Sequence, residues 1–361
     1  MHGESVAEII KTVSFDGYEL VGRLTVPESG KISKLVIYVN GSGANTYDNK
    51  RNGFNYFDLF ADEFSARGIA FYSYSTRGCT IGDEPPMYVN INYDEYKRYL
   101  PLNSVEDIRY MIKRLKQHER LKDCRVCLLG WSEGTVIAPL VAEKYPQLVD
   151  ALFLAGYVNE NMLDVMRWQE NGGSQMAWFS GHFKADNEGR ISKSAYANDP
   201  DGIVSTLLQG MPFEELDIDH DGYITKKDLQ PRRSQALGYE LQDVISAVER
   251  GDDEWLRVKY GKNIIPLTAG WFTQHFGLRS NMEVLPELEL PIFIFHGTMD
   301  THVDVAQVYK ISEKFESLGK TNLRINVFNK HDHDLNYMDF ITKKEISTGL
   351  KAIFDQVTEL D

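Results

Sequence analysis

The chain has 361 residues, 42% of them hydrophobic and 25% charged, which suits a sizeable buried core and excludes a disordered or fibrous chain. Lys and Arg number 39 against 53 Asp and Glu, a net charge of −14 that is spread along the chain. Such a surface repels phosphates, so neither nucleic acid nor an anionic membrane is expected as a partner.

The length fits two domains, or one large α/β domain with an insertion. The opening MHGESVAEIIKTVSF lacks a basic segment followed by an apolar one, and no apolar run reaches the roughly 18 residues a membrane span needs. A soluble, cytoplasmic protein is expected, although a secreted protein whose leader has been removed reads the same. Nothing in the sequence indicates the oligomeric state. Cys79, Cys124 and Cys127 are an odd number; the last two stand in a strand-like run that points them to opposite faces, so core packing is expected and not a disulfide or a zinc site.

In chain order, VAEIIKTVSF and YELVGRLTVP alternate like two strands joined at Asp16-Gly17, a hairpin signal. Short apolar runs then follow at 35–39, 69–74, 125–130, 151–156, 291–297 and 323–328. Amphipathic stretches lie between them around 54–67, 104–117, 133–145, 304–318 and 338–357. Strands alternating with helices predict a mostly parallel sheet covered on both faces, with the antiparallel opening pair at one edge. The gap of about 135 residues between the fourth and fifth runs is too long for a connection, so it is a substructure of its own.

LLGWSEGTVIAPLVAEKY places Ser132 in Gly130-Trp131-Ser132-Glu133-Gly134, after a strand and before a helix. A turn this tight admits only glycines on either side and lifts the hydroxyl to the carboxyl edge of the sheet, facing a helix N-terminus. A serine nucleophile needs a base and a group that orients the base. Asp300 follows the strand PIFIFHG, and His331 and His333 follow the strand LRINVF. Strand ends of one parallel sheet share an edge, so these residues can meet Ser132.

This pattern resembles the α/β-hydrolase superfamily over roughly residues 1–157 and 286–361, which the resemblance implies form the core, with 158–285 as a mainly helical cap insertion. The order nucleophile, acid, histidine is the family's. HGTMDTHV looks like its acid loop around Asp300, and HDL at 333–335 like its histidine loop, which selects His333 and leaves His331 open. The implied oxyanion donors are the N–H of Glu133, next to the nucleophile, and that of Ser42 in the glycine-rich loop after LVIYV, where Asn40 replaces a common histidine. Serine at the nucleophile position excludes the aspartate-using dehalogenase and epoxide hydrolase branches. Among the other histidines, His296 is expected as a structural partner at a strand end, His302 as solvated, His220 in an exposed acidic loop and His275 in the insertion.

Within the insertion, FEELDIDHDGYITKKDL resembles an EF-hand calcium loop at 217–228. Its ligands would be Asp217, Asp219, Asp221, the Tyr223 carbonyl and Asp228, with Gly222 at the turn. Asp228 replaces the usual glutamate, which implies weak calcium binding or tolerance of magnesium, and Pro212 and Pro231 are expected to shorten the flanking helices. A degenerate partner loop lies at 184–195, where Lys184 and Ala195 occupy end positions and Ile191 can pair with Ile224. One structural ion is expected, and no cofactor for catalysis. Trp178, Phe179, Trp271, Phe272 and Phe276 either line an acyl pocket or form the insertion's own core.

The reading is a Ser132–His333–Asp300 hydrolase acting on a small-molecule carboxylic ester. Alternatives are a peptidase or amidase, a thioesterase or acyltransferase, and, from another class, a calcium-responsive binding protein with a vestigial hydrolase site.

Overall fold

The computed structural model describes residues 5–51, 53–263 and 266–360. Eight strands form the main sheet: β1 (Ser5–Val13), β2 (Glu19–Pro27), β3 (Lys34–Val39), β4 (Ala70–Tyr74), β5 (Arg125–Trp131), β6 (Ala151–Ala155), β7 (Ile292–Gly297) and β8 (Leu323–Phe328). They are ordered β1-β2-β4-β3-β5-β6-β7-β8. The β1–β2 and β2–β4 pairs are antiparallel and all others parallel, so the opening hairpin lies at one edge, as its alternation predicts.

Side chains alternate across a strand. In β3, Leu35, Ile37 and Val39 therefore join one core, whereas Val36 and Tyr38 join the other. The first core is closed by α2 (Pro101–Leu115), α3 (Gly134–Lys144) and α9 (Ala306–Ser317). The second is closed by α1 (Tyr56–Ala66) and α10 (Thr348–Glu359), through Phe57, Phe60 and Phe64 on one helix and Leu350, Ile353 and Phe354 on the other. The cysteines are unpaired and buried, with Cys124 in the first core and Cys127 in the second.

One corner of the core depends on a buried charge. The Arg77 guanidinium donates to both carboxylate oxygens of Asp107, at 2.7 Å each, and to Asp16 at 2.9 and 3.0 Å. Burial raises the Asp107 pKa against the pull of Arg77. Arg77→Met would leave that carboxylate buried without its cation, and a loss of about 3–5 kcal/mol is expected in urea unfolding. A midpoint within error of the wild type would contradict this.

Between β6 and β7 the chain forms α4 (Met162–Trp168), α5 (Ser174–His182), α6 (Lys226–Leu237), α7 (Leu241–Glu249) and α8 (Ala269–Phe276), with shorter turns between them. Two apolar clusters hold this insertion. Met176, Phe179, Phe183, Ile191, Ile224 and Leu229 belong to one, and Val244, Leu256, Trp271 and Phe272 belong to the other together with Tyr96 and Tyr99 from the core side. Pro231 does not shorten α6 as expected: the helix runs through it to Leu237. A proline removes one backbone donor, and Leu229 in the same segment is buried in the insertion's cluster, which holds the helix in place. Pro212, by contrast, caps a helix of only four residues, Phe213–Leu216.

Candidate active site

Ser132 sits on the turn between β5 and α3 with φ +53°, a left-handed conformation uncommon for a residue with a side chain. The flanking glycines follow from space. A Cβ on Gly130 would lie 2.3 Å from the Gly134 carbonyl oxygen, and one on Gly134 would lie 2.0 Å from that of Val39. The turn is braced by the Ser132 carbonyl, which accepts from the N–H of Thr135 at 2.8 Å and from its hydroxyl at 2.7 Å.

Asp300, beyond β7, is buried, and its Oδ2 accepts from His333 Nδ1 at 2.7 Å. Its Oδ1 accepts the N–H groups of His302 and Val303 at 2.8 and 2.9 Å. Burial opposes this charge, but the neighbouring imidazoles at His333 and His296 outweigh it and hold the Asp300 pKa well below the usual carboxylate range. The reverse balance acts on His333. Burial disfavours its cation, yet Asp300, Asp334 and Asp332 raise its pKa to about 9. Trp131 Nε1, next to Ser132, donates to the His333 carbonyl at 3.1 Å and so ties the histidine loop to the serine turn.

The other histidines divide clearly. His331 is engaged elsewhere, its Nε2 accepting the Gly349 N–H at 3.3 Å at the start of α10. His296 is fully buried: its Nδ1 accepts the Tyr157 N–H at 3.1 Å and its Nε2 faces the Val303 carbonyl at 3.2 Å, a structural partner at a strand end. His302 is exposed but not merely solvated. Its ring stacks on His333 with centroids 4.4 Å apart, and the charge of His333, with partial desolvation, lowers its pKa to about 4.

Ser132, Ser42 and His333 line one cavity of about 560 Å³. The insertion contributes Met162, Val165, Met166, Leu267, Trp271 and Phe272 to its wall. Trp178 and Phe179 instead pack within the insertion's own cluster, and Phe276 against the second one. The N–H groups of Ser42 and Glu133 donate to no group among the described residues. Asn40, buried at the position where a histidine is common, donates from Nδ2 to the Tyr74 carbonyl at 2.9 Å.

The family model for the alpha/beta hydrolase fold matches residues 34–192. A highly thermostable carboxyl esterase from Bacillus coagulans superposes with a TM-score of 0.55 at 14% identity, over 98% of each chain. The chain has the alpha/beta hydrolase fold. An acylaminoacyl peptidase from Pyrococcus horikoshii is similar at a TM-score of 0.49 and 14% identity, over 98% of this chain and 41% of that one. No curated protein matches the sequence. In this alpha/beta hydrolase fold Ser132, Asp300 and His333 follow β5, β7 and β8, and so lie along the carboxyl edge of one sheet.

Within the insertion, Asp217, Asp219 and Asp221 bring one carboxylate oxygen each within 4.8 Å of the others. Hard-cation sites use this kind of oxygen set. Gly222 has φ +89°, as the sharp turn requires, and Ile191 pairs with Ile224 in a two-residue bridge to the 184–195 loop. Tyr223 lies on that bridge opposite Ser192. Asp228 lies outside the trio. Its Oδ1 accepts the Ile218 N–H at 2.9 Å and its Oδ2 the Thr225 N–H and hydroxyl at 2.8 Å each, capping α6. In the partner loop Arg190 pairs with Asp186 and Glu188 at 2.9 and 3.0 Å, so a side-chain cation already neutralises its carboxylates.

Sequence reading missed a group beside the nucleophile. The Glu133 carboxylate is buried and bonded to Tyr99, Trp271 and His275. The available signal was a charged residue inside the serine turn, at a position where only the backbone N–H has an evident use.

Proposed function

We propose that this protein hydrolyses a carboxylic ester through an acyl-enzyme on Ser132. The observation that carries the reading is Ser132 at positive φ on the serine turn, sharing a cavity with a histidine whose Nδ1 is held by a buried carboxylate at 2.7 Å.

With Nδ1 on Asp300, Nε2 of His333 is the nitrogen that takes the Ser132 proton as Oγ attacks the ester carbon. The oxyanion is met by the N–H groups of Ser42 and Glu133. Collapse breaks the bond to the alcohol oxygen, which leaves with the proton from His333. Water, deprotonated by the same imidazole, then releases the acid and restores Ser132. The apolar wall from Met162, Val165, Met166 and Phe272 suits the acyl group, so the insertion serves as a cap.

The deciding experiment is intact mass after exposure to a fluorophosphonate, followed by turnover of p-nitrophenyl acyl esters against matched anilides and peptides. A single adduct on the wild type with faster ester turnover is expected. No adduct would remove the hydrolase reading and favour a binding protein, whereas preferred anilide turnover would replace esterase by amidase.

We also propose one structural calcium, with magnesium tolerated, held by Asp217, Asp219, Asp221 and the Tyr223 carbonyl, with Asp228 ordering the loop behind it. Converging carboxylates repel one another without a cation. Calcium at a hundred times its Kd is expected to stabilise the fold by about 2.7 kcal/mol. Differential scanning fluorimetry should show a higher Tm in calcium than in EDTA, and Asp217→Asn should abolish the difference. Identical melting of the wild type in both would refute the ion.

A further inference from the structure

A backbone N–H is all that acyl transfer asks of residue 133, and any amino acid offers one. Here the residue is a glutamate at 1% exposure. Burying a carboxylate costs several kcal/mol unless donors satisfy it. Three do: Trp271 Nε1 and His275 Nε2 both reach Oε1, at 2.9 and 2.6 Å, and the Tyr99 hydroxyl reaches Oε2. Each comes from another part of the chain. Tyr99 precedes α2, while Trp271 and His275 are four residues apart on one face of α8 in the insertion.

The Tyr99 hydroxyl has a second bond. It accepts the N–H of Gly43 at 3.3 Å. Gly43 follows Ser42, and Glu133 carries the other oxyanion donor, so a single phenol bridges the two halves of the oxyanion hole. A hydroxyl that donates to a carboxylate is polarised toward accepting, which suits the direction of both bonds. The same carboxylate fastens α8, whose Trp271 also lines the substrate cavity.

Resting on the hydrolase reading above, we propose that the Glu133 side chain is a positioning residue that, through Tyr99 and the Trp271–His275 face, sets the spacing of the Ser42 and Glu133 donors and couples it to the seating of the insertion. Donor geometry matters because preorganised N–H groups act where charge develops, and misplacement by about 1 Å can cost about a hundredfold in rate. The role is one of geometry in the transition state, so it falls on kcat more than on KM.

The test uses Tyr99→Phe and Glu133→Gln beside the wild type, with active sites counted by fluorophosphonate labelling. Tyr99→Phe keeps the ring and removes only the bridge, so it remains informative if Glu133→Gln does not fold. For each folded variant the expected result is a fall of about 10- to 100-fold in kcat per labelled site, KM within about twofold, and a parallel loss of affinity for a trifluoromethyl ketone, whose adduct carries the oxyanion. A purely structural role would lower Tm yet leave kcat per labelled site and ketone affinity unchanged, which would overturn the proposal. A wild type that takes no label overturns the hydrolase reading itself, and this role with it.

Discussion

Ser132→Ala is expected to lose the proposed ester hydrolysis by about 10⁴-fold or more, because its acyl-enzyme cannot form and only oxyanion and binding contributions remain. The fold and the proposed calcium response should be intact. The side chain loses one oxygen on a turn whose bracing bonds use the Ser132 carbonyl and the Thr135 hydroxyl, not the Ser132 hydroxyl. Circular dichroism and Tm therefore serve as controls. Turnover of the purified variant within tenfold of the wild type, free of contaminating activity, would mean that another group attacks.

The second large effect is at Asp300. Asp300→Asn keeps the shape, but the amide presents a donor or a weaker acceptor to His333 Nδ1, so the imidazole loses both its tautomer and its counter-charge. A fall of about 10⁴-fold in kcat is expected. The pH profile gives an independent reading. In the proposed mechanism His333 must be neutral to accept a proton, and its pKa is raised to about 9, so kcat/KM of the wild type should climb through a limb near that pH and be weak at neutrality. Burial disfavours the cation once the carboxylate is gone, so in Asp300→Asn the limb should move to lower pH. Stability follows the same linkage: the raised His333 pKa stabilises the fold below the unfolded histidine value, and this contribution fades as pH rises through about 9. A wild-type limb below pH 7 would contradict the charge balance described for Asp300, Asp332 and Asp334.

The proposed calcium site and the Tyr99 bridge lie at other places, so their variants separate. Chelation should lower Tm with kcat per labelled site retained at low temperature, whereas Tyr99→Phe should lower kcat per site. Tyr99 belongs to the apolar cluster that holds Tyr96 and Trp271, whereas Asp217 directly follows Leu216 of the other cluster. Their effects should add in the double variant.

Much of the architecture is local and therefore legible in the sequence. Strand alternation places Leu35 and Val36 on opposite faces wherever the strand lies, and the glycines at 130 and 134 record a turn too tight for any Cβ. The Asp16-Gly17 hairpin and the strand and helix rhythm have the same local origin. Tertiary structure alone decided which long-range partners meet. It turned His333 toward Asp300 and His331 toward α10, stacked His302 on His333, sent Asp228 to cap α6, and brought Tyr99, Trp271 and His275 around Glu133. The physical reason is that periodicity and turn sterics act within a few residues, whereas a buried charge finds its donors only after strand order and the docking of the insertion have fixed what surrounds it.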